Sequence, residues 1–375
     1  MLKILYVSGT RADFGLIKGT LSRLHRDDEL DLGVVATGMH LVSSYGETLR
    51  EIVAEGFDIV AKVPVELAPS TGATMAIAIG EMTSNFAKIF ERHNPDIVLI
   101  LGDRGEMLAA AIAAIHQDIL VAHIHGGERS GTIDEPVRHA ISKLSHLHFT
   151  STKEAAQRLL SMGEETEKVF VTGAPGLDEI YDHRSTSRID LWSKYGLKSG
   201  IRTALMVFHP VTHEMRNADT QTIEILNALR KGHWQVVLVE PNADAGSDAI
   251  RAALDGANDK RIIRLKHIPR HDFLSFMEHV EVMVGNSSAG IIEAASFGTP
   301  VINVGTRQSL RERNSNIMDV EPSEDEIFSA LEAMGEKGKF EEKNIYGNGE
   351  AGRRIHQLLK SKFYSVRDHP KMLSY

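Results

Sequence analysis

Gly285-Asn286-Ser287-Ser288-Ala289-Gly290, followed by Ile291-Ile292-Glu293, has the residue types of an anion cradle. Where such a segment passes from strand to helix, unpaired N–H groups and the helix dipole meet at the entrance and favour a phosphate. Ser287 and Ser288 add hydroxyl donors, and Gly290 permits close approach to the backbone. Glu293, one turn on, is placed to take ribose hydroxyls. Plain N-capping by Ser288 is the competing reading. Ser8-Gly9-Thr10-Arg11 is a second glycine turn, with a guanidinium whose planar fork suits a phosphate. It lacks the spacing of a dinucleotide fingerprint, and the chain has no Gly-x-x-x-x-Gly-Lys-Ser/Thr loop, so an ordinary turn is equally open.

Groups able to move protons lie elsewhere. Asp103, beside Arg104, is a candidate acid or base, or the N-cap of the helix that follows. In His123-Ile124-His125, strand alternation would set both imidazoles on one face, as in a zinc pair; a buried core His123 is the plainer alternative, and no metal is assigned. Glu128 lies in a loop rich in glycine and charge that leads to Asp134-Glu135-Pro136-Val137-Arg138. Acidic residues there complement a helix dipole or serve a site. His209 and His213 flank Pro210, as a cationic or donor contact to a phosphate or as a solvated loop.

Most of these clusters follow short apolar runs. Leu2–Ser8, Asp31–Ala36, Ile59–Val63, Ile97–Leu101 and Ile119–Ile124 read as parallel strands covered on both faces. Ala73–Arg92 and Gly105–His116 read as helices between them. The pattern restarts with strands at Thr203–Phe208, Trp234–Val239, Arg261–Leu265, Val280–Val284 and Pro300–Val304. Helices are expected at 217–230, 246–255, 270–278 and 289–297. The fold class is therefore α/β, with two doubly wound Rossmann-like domains facing across a cleft. The expected division is 1–177 and 178–352, with a C-terminal helix at about 353–375 packing back on the first domain. Such sheets bind ligands at the carboxyl ends of their strands, where the polar clusters fall.

Composition excludes several classes. The 375 residues are 42% hydrophobic and 25% charged, with a net charge of −9, which disfavours nonspecific nucleic-acid binding. With no cysteine, disulfides, thiolate metal sites and cysteine nucleophiles are excluded. The N-terminal residues read as a first strand rather than a signal peptide, and no apolar run approaches the about 18 residues of a membrane span. A cytoplasmic protein is the expectation.

As an ordered set, these residues resemble the UDP-N-acetylglucosamine 2-epimerase family. The resemblance is carried by Gly9–Gly15, Gly102-Asp103-Arg104, His123–Glu128, Gly131–Glu135 with Arg138-His139, His209–Thr212, Pro241–Ser247, Gly285–Glu293 and Gly298–Gln308. It is narrower with the hydrolysing branch that feeds sialic-acid synthesis, because Thr37–Leu41 lacks the Gln-His-Arg-Glu-type stretch of the non-hydrolysing branch. The resemblance implies a glycosyltransferase-B-like fold and no cofactor. Its implied partners are UDP-N-acetylglucosamine and UDP, and a homodimer or homotetramer is expected. It implies that UDP is eliminated to leave 2-acetamidoglucal, and that water then adds with inversion at C2, giving N-acetylmannosamine. Asp103 and Asp134 match catalytic carboxylates, with Arg138 placed to orient Asp134. Arg11, His209, Ser287, Ser288, Gly290 and Glu293 match the UDP-sugar site, and Asn242 and Arg307 match positions near UDP or the sugar. The family pattern has a catalytic Glu where this chain has His125, so His125 and Glu128 share the candidate acid–base role. Three other activities fit part of the pattern: a hydrolysing epimerase for a UDP-2,4-diacetamido-2,4,6-trideoxy hexose (the legionaminic-acid pathway), a glycosyltransferase on the same fold, and a zinc hydrolase on His123 and His125.

Overall fold

The computed structural model describes residues 1–42, 48–69, 71–129, 134–181, 183–241, 246–256, 259–266, 268–367 and 371–372, without the side chains at 212, 213, 215 and 364. The chain forms two compact units. One holds residues up to Tyr181 and again from Tyr346; the other runs from His183 to Ile345.

The first unit alternates β1 (Leu2–Ser8), α1 (Arg11–His25), β2 (Leu30–Thr37), α2 (Leu49–Ala54), β3 (Ile59–Val63), α3 (Gly72–His93), β4 (Ile97–Leu101) and α4 (Gly105–Ile115). It continues through β5 (Leu120–Ile124), α5 (Asp134–Leu144), β6 (Leu147–Thr150), α6 (Lys153–Ser161), β7 (Val169–Val171) and α7 (Asp178–Tyr181). Its strands form a parallel sheet in the order β3-β2-β1-β4-β5-β6-β7. Alternate residues of one strand serve two cores. Ile4 and Tyr6 pack with Ile17, Leu21 and Leu24 of α1, while Leu5 and Val7 pack with Phe86 of α3 and Met107 of α4. Burial on both faces is why these strands read as unbroken apolar runs.

The second unit carries α8 (Arg188–Tyr195), β8 (Thr203–Val207), α9 (Ala218–Lys231), β9 (Gln235–Val239), α10 (Ser247–Asp255), β10 (Ile262–Leu265) and α11 (Arg270–His279). Then follow β11 (Val282–Gly285), α12 (Ser288–Ile292), β12 (Val301–Val304), β13 (Ile317–Val320) and α13 (Glu324–Lys337). The sheet order is β10-β9-β8-β11-β12-β13. Strand order therefore reverses between β1 and β4 in one unit and between β8 and β11 in the other, the places where open α/β sheets take ligands.

Three strands went unread in the sequence. β6, β7 and β13 have only four, three and four residues, and β7 and β13 lie at sheet edges with little burial. The helix expected over 289–297 is broken: α12 ends at Ile292, and Ala294–Phe297 tightens into a 3₁₀ turn. No helix among the described residues is long and apolar enough to cross a membrane.

The last helix, α14 (Ala351–Arg367), rejoins the first unit and inserts Ile355, Leu359, Phe363 and Val366 into the core beside α1. The unit boundaries fall at 181 and 346 rather than 177 and 353 because this return is tied down on both sides. Asp178 accepts the N–H groups of Ala351 and Gly352 at 2.9 and 2.6 Å, and the buried Tyr346 accepts from Ala174 N–H at 2.7 Å. Asp178→Ala would leave two buried donors at the helix start unsatisfied, at about 2 kcal/mol. A lower urea midpoint with unchanged m-value is the expected result; an unaltered midpoint would show that α14 does not depend on this cap.

Candidate active site

The first unit places three polar strand ends side by side. After β1, Thr10 caps α1 in a reciprocal box with Asp13, which sets Arg11 as the first helical residue. The Asp13 carboxylate is buried and accepts from Gly9 N–H (3.0 Å), Thr10 N–H (2.6 Å), Ser8 Oγ (2.5 Å) and Tyr6 Oη (3.1 Å). His40 Nε2 lies 2.9 Å from Ser8 Oγ, and burial lowers its imidazole below the usual range. Gly9 is required for space: a Cβ there would sit 2.7 Å from Glu106 Cγ. Arg11 Nε reaches Glu51 of α2 at 2.9 Å, so the expected phosphate ligand has a carboxylate on it. Asp13, His40 and Glu106 went unread as site-shaping residues; the threonine three positions before Asp13 was the available signal.

The ends of β4 and β5 are joined directly. Leu101 pairs with Ile124, Gly102 N–H donates to Ile124 O at 3.0 Å, and His123 Nε2 donates to Gly102 O at 2.7 Å. His123 Nδ1 lies 3.2 Å from Ser142 Oγ, and burial depresses the imidazole to about 3. Both of its nitrogens are thus engaged by the protein. β5 stops at Ile124, and His125 turns out with a φ of 65°, so the alternation behind the zinc-pair reading is broken. Among the described residues no group of three or more acidic or histidine side chains could hold a metal ion.

Asp103 stands just past this junction. It is not the cap of α4: Arg104 occupies that position, and its guanidinium bonds Glu106 instead of capping the helix. Instead Asp103 accepts a hydrogen bond from Arg138 Nη2 of α5. Arg138 was expected to orient Asp134; its guanidinium, 2% exposed, bonds Asp103. Asp134 itself opens α5 at the surface. His125 Nδ1 lies 2.6 Å from Glu128 Oε1, and Ser151 Oγ donates to the same oxygen at 2.6 Å. Gly127, with a φ of 76°, makes the loop possible, since a Cβ there would lie 2.3 Å from Ala155 O.

In the second unit, Asn286 ties three strand ends together. Its amide donates to His209 O and accepts from His209 N–H, both at 2.8 Å, and its carbonyl accepts from Arg307 Nη1 and Gln308 Nε2, both at 3.1 Å. It was read as part of a motif and missed as the organising residue. Burial, with Arg307 nearby, lowers the His209 imidazole to about 3. A cationic contact to phosphate is thereby replaced by a neutral donor or acceptor. Ser287, rather than Ser288, caps α12, accepting from Ala289 N–H at 3.3 Å. Gly290 also serves packing. Its N–H goes to Ser287 O, and a Cβ would lie 3.0 Å from Val301 Cγ1. Glu293, buried at the end of α12, pairs with Arg270 at 2.6 Å. Asn242, the side chain of His213 and residues 131–133 lie outside the described residues.

A parallel doubly wound pair of units with polar residues at the strand switch points defines the class. The sequence pattern of the UDP-N-acetylglucosamine 2-epimerase family matches residues 22–360, and the chain belongs to that family. It is 47% identical to a Legionella pneumophila UDP-N,N'-diacetylbacillosamine 2-epimerase (hydrolyzing) over 360 residues, covering 96% of each chain. It is 34% identical to a Neisseria meningitidis UDP-N-acetylglucosamine 2-epimerase over 371 residues, 99% of this chain and 96% of that protein. The crystal structure of UDP-GlcNAc 2-epimerase from Neisseria meningitidis bound to UDP-GlcNAc superposes with a TM-score of 0.83 at 21% identity, covering 96% of this chain and 100% of that one.

The buried histidines set a pH dependence. His123 and His209 have folded pKa values near 3, below the unfolded value of about 6.5, so below pH 6.5 the unfolded chain binds protons that the folded chain refuses. Each imidazole then removes stability as pH falls, by about 1.4 kcal/mol per pH unit until its folded pKa is reached. Urea unfolding at pH 7, 6 and 5 should show this loss; equal stability at pH 7 and 5 would contradict it.

Proposed function

We propose that this protein is a hydrolysing 2-epimerase of a UDP-2-acetamido sugar, and that its substrate is UDP-N,N'-diacetylbacillosamine, a UDP-2,4-diacetamido-2,4,6-trideoxy hexose. The identity of 47% to a relative so named, against 34% to one named for UDP-N-acetylglucosamine, supports the diacetamido sugar, whose product would belong to the legionaminic-acid rather than the sialic-acid route. The observation that carries the reaction class is the β4–β5 junction. Two groups able to exchange protons, Asp103 and His125, follow adjacent strand ends, and each is held by a buried partner.

The C2 proton of such a sugar is not acidic, so departure of UDP must lead. The C1–O pair leaves with UDP, the C2–H pair becomes a C1=C2 bond, and the proton passes to a base. Water oxygen then bonds C1 and a proton reaches C2 from the opposite face. Asp103, Asp134 and His125, with Glu128 and Arg138 behind them, supply the proton transfers. In the second unit His209, Ser287, Ser288 and Arg307 hold the diphosphate and uridine, and fixed donors there stabilise the leaving charge; Arg11 and Asn242 are assigned to the UDP-sugar from the family pattern alone. Glu293, paired with Arg270, takes the ribose hydroxyls in this reading.

The test is proton NMR in deuterated water without added metal, with UDP-N,N'-diacetylbacillosamine and UDP-N-acetylglucosamine in parallel. Free 2-epimerised sugar deuterated at C2, with UDP, is the expected product, formed faster from the diacetamido substrate. Faster turnover of UDP-N-acetylglucosamine would reverse the substrate assignment, and a UDP-linked product would refute hydrolysis. Asp103→Asn should lower turnover about 10²–10⁴-fold while UDP still binds. The proposal includes self-association: light scattering should give two or four times the chain mass of 41.3 kDa, and a value at the chain mass would exclude it.

A further inference from the structure

We infer that His125 takes up the C2 proton through Nε2, and that Glu128 and Ser151 are positioning residues that fix its tautomer; this rests on the epimerase reading above. The argument starts from the backbone. A residue with a Cβ is disfavoured at a φ of 65°, yet His125 adopts it one residue beyond β5, with its N–H donated to Phe149 O at 3.0 Å. That turn carries the imidazole out of the strand ladder, one residue past Ile124, whose carbonyl accepts from Gly102 N–H.

The ring itself is polarised. Glu128 Oε1 receives two hydrogen bonds, from Ser151 Oγ and from the His125 ring, each at 2.6 Å. An oxygen that already accepts from a hydroxyl is acting as a carboxylate acceptor, so the ring nitrogen facing it is Nδ1–H. In the neutral imidazole the lone pair then lies on Nε2. That atom is buried and has no hydrogen-bond partner among the described residues. A buried acceptor left open at a strand end is the geometry of a group waiting for a proton donor.

Of the neighbouring histidines, His123 has both nitrogens engaged; His148 bonds Glu164 through Nε2 and its Nδ1 is also buried without a hydrogen-bond partner among the described residues, but it lies within β6 and not past a strand end. The charged and titratable groups around the loop are Glu128, His123 of β5, His148 of β6, Arg138 of α5, Arg158 of α6 and Asp103. Burial lowers His123 and His148, and Glu128 is the group bonded to the His125 ring.

In the step, the C2–H proton moves to Nε2, the C2–H electron pair forms C1=C2, and the C1–O pair departs with UDP. The imidazolium so formed has Nδ1–H on the Glu128 carboxylate, and returns the proton to solvent before the next turnover.

Two measurements test this. Nitrogen-15 NMR of histidine-labelled protein, with the His125 signals assigned through His125→Gln, should show the neutral ring as the Nδ1–H tautomer. An Nε2–H tautomer overturns the assignment whatever the activity. The pH profile of turnover, on whichever UDP-sugar reacts, should have an acidic limb that moves to lower pH in Glu128→Gln, because the ring loses the anionic partner that favours its cationic form. His125→Gln should lose about 10²–10⁴-fold in kcat with UDP affinity kept. Turnover with an unmoved limb overturns the role of Glu128 and leaves the epimerase reading intact. No turnover of either sugar by the unmodified protein overturns that reading, and the proton step with it.

Discussion

A buried guanidinium cannot be left without a counter-charge, and in the first unit that constraint fixes the site. Arg138 is 2% exposed, and its anchor is Asp103. Removing either partner would strand a charge in a low-dielectric setting, which is far costlier than the pair is stabilising. The pair therefore fixes α5 against the end of β4. The bonds of Gly102 to Ile124 and His123 do the same between β4 and β5. Once those contacts are made, the position of Asp103 follows from secondary structure rather than from loop conformation.

The same logic, with neutral groups, orders the second unit. Asn286 uses its amide on both backbone atoms of His209 and its carbonyl on Arg307 and Gln308. Three loops that leave β8, β11 and β12 are thereby held by one residue. The imidazole of His209 is kept neutral by burial, so the positive charge beside it is that of Arg307. Donors fixed before a ligand arrives need no reorganisation when charge develops on it.

The strand-end pattern was legible because parallel strands buried on both faces are continuous apolar runs, and polar residues after them stand out. β1 and β4 were placed to the residue for that reason. β7 and β13 escaped because short edge strands bury too little to leave a pattern. The helix break after Ile292 escaped because nothing in Ala294-Ala295-Ser296-Phe297 opposes a helix locally.

Sequence alone determined which residue types stand at the strand ends, and so the fold class and the family: periodicity and residue order are properties of the chain. It left open which of those residues touch. Arg138 bonds Asp103 although Asp134 is nearer in the chain, and His125 is paired with Glu128 and separated in role from His123 two residues away. Gly290 also makes room for Val301. Those outcomes depend on the register of neighbouring strands and on which polar atoms lose water. Only the packed tertiary structure sets these, because desolvation makes a partner obligatory for each buried charge and acceptor.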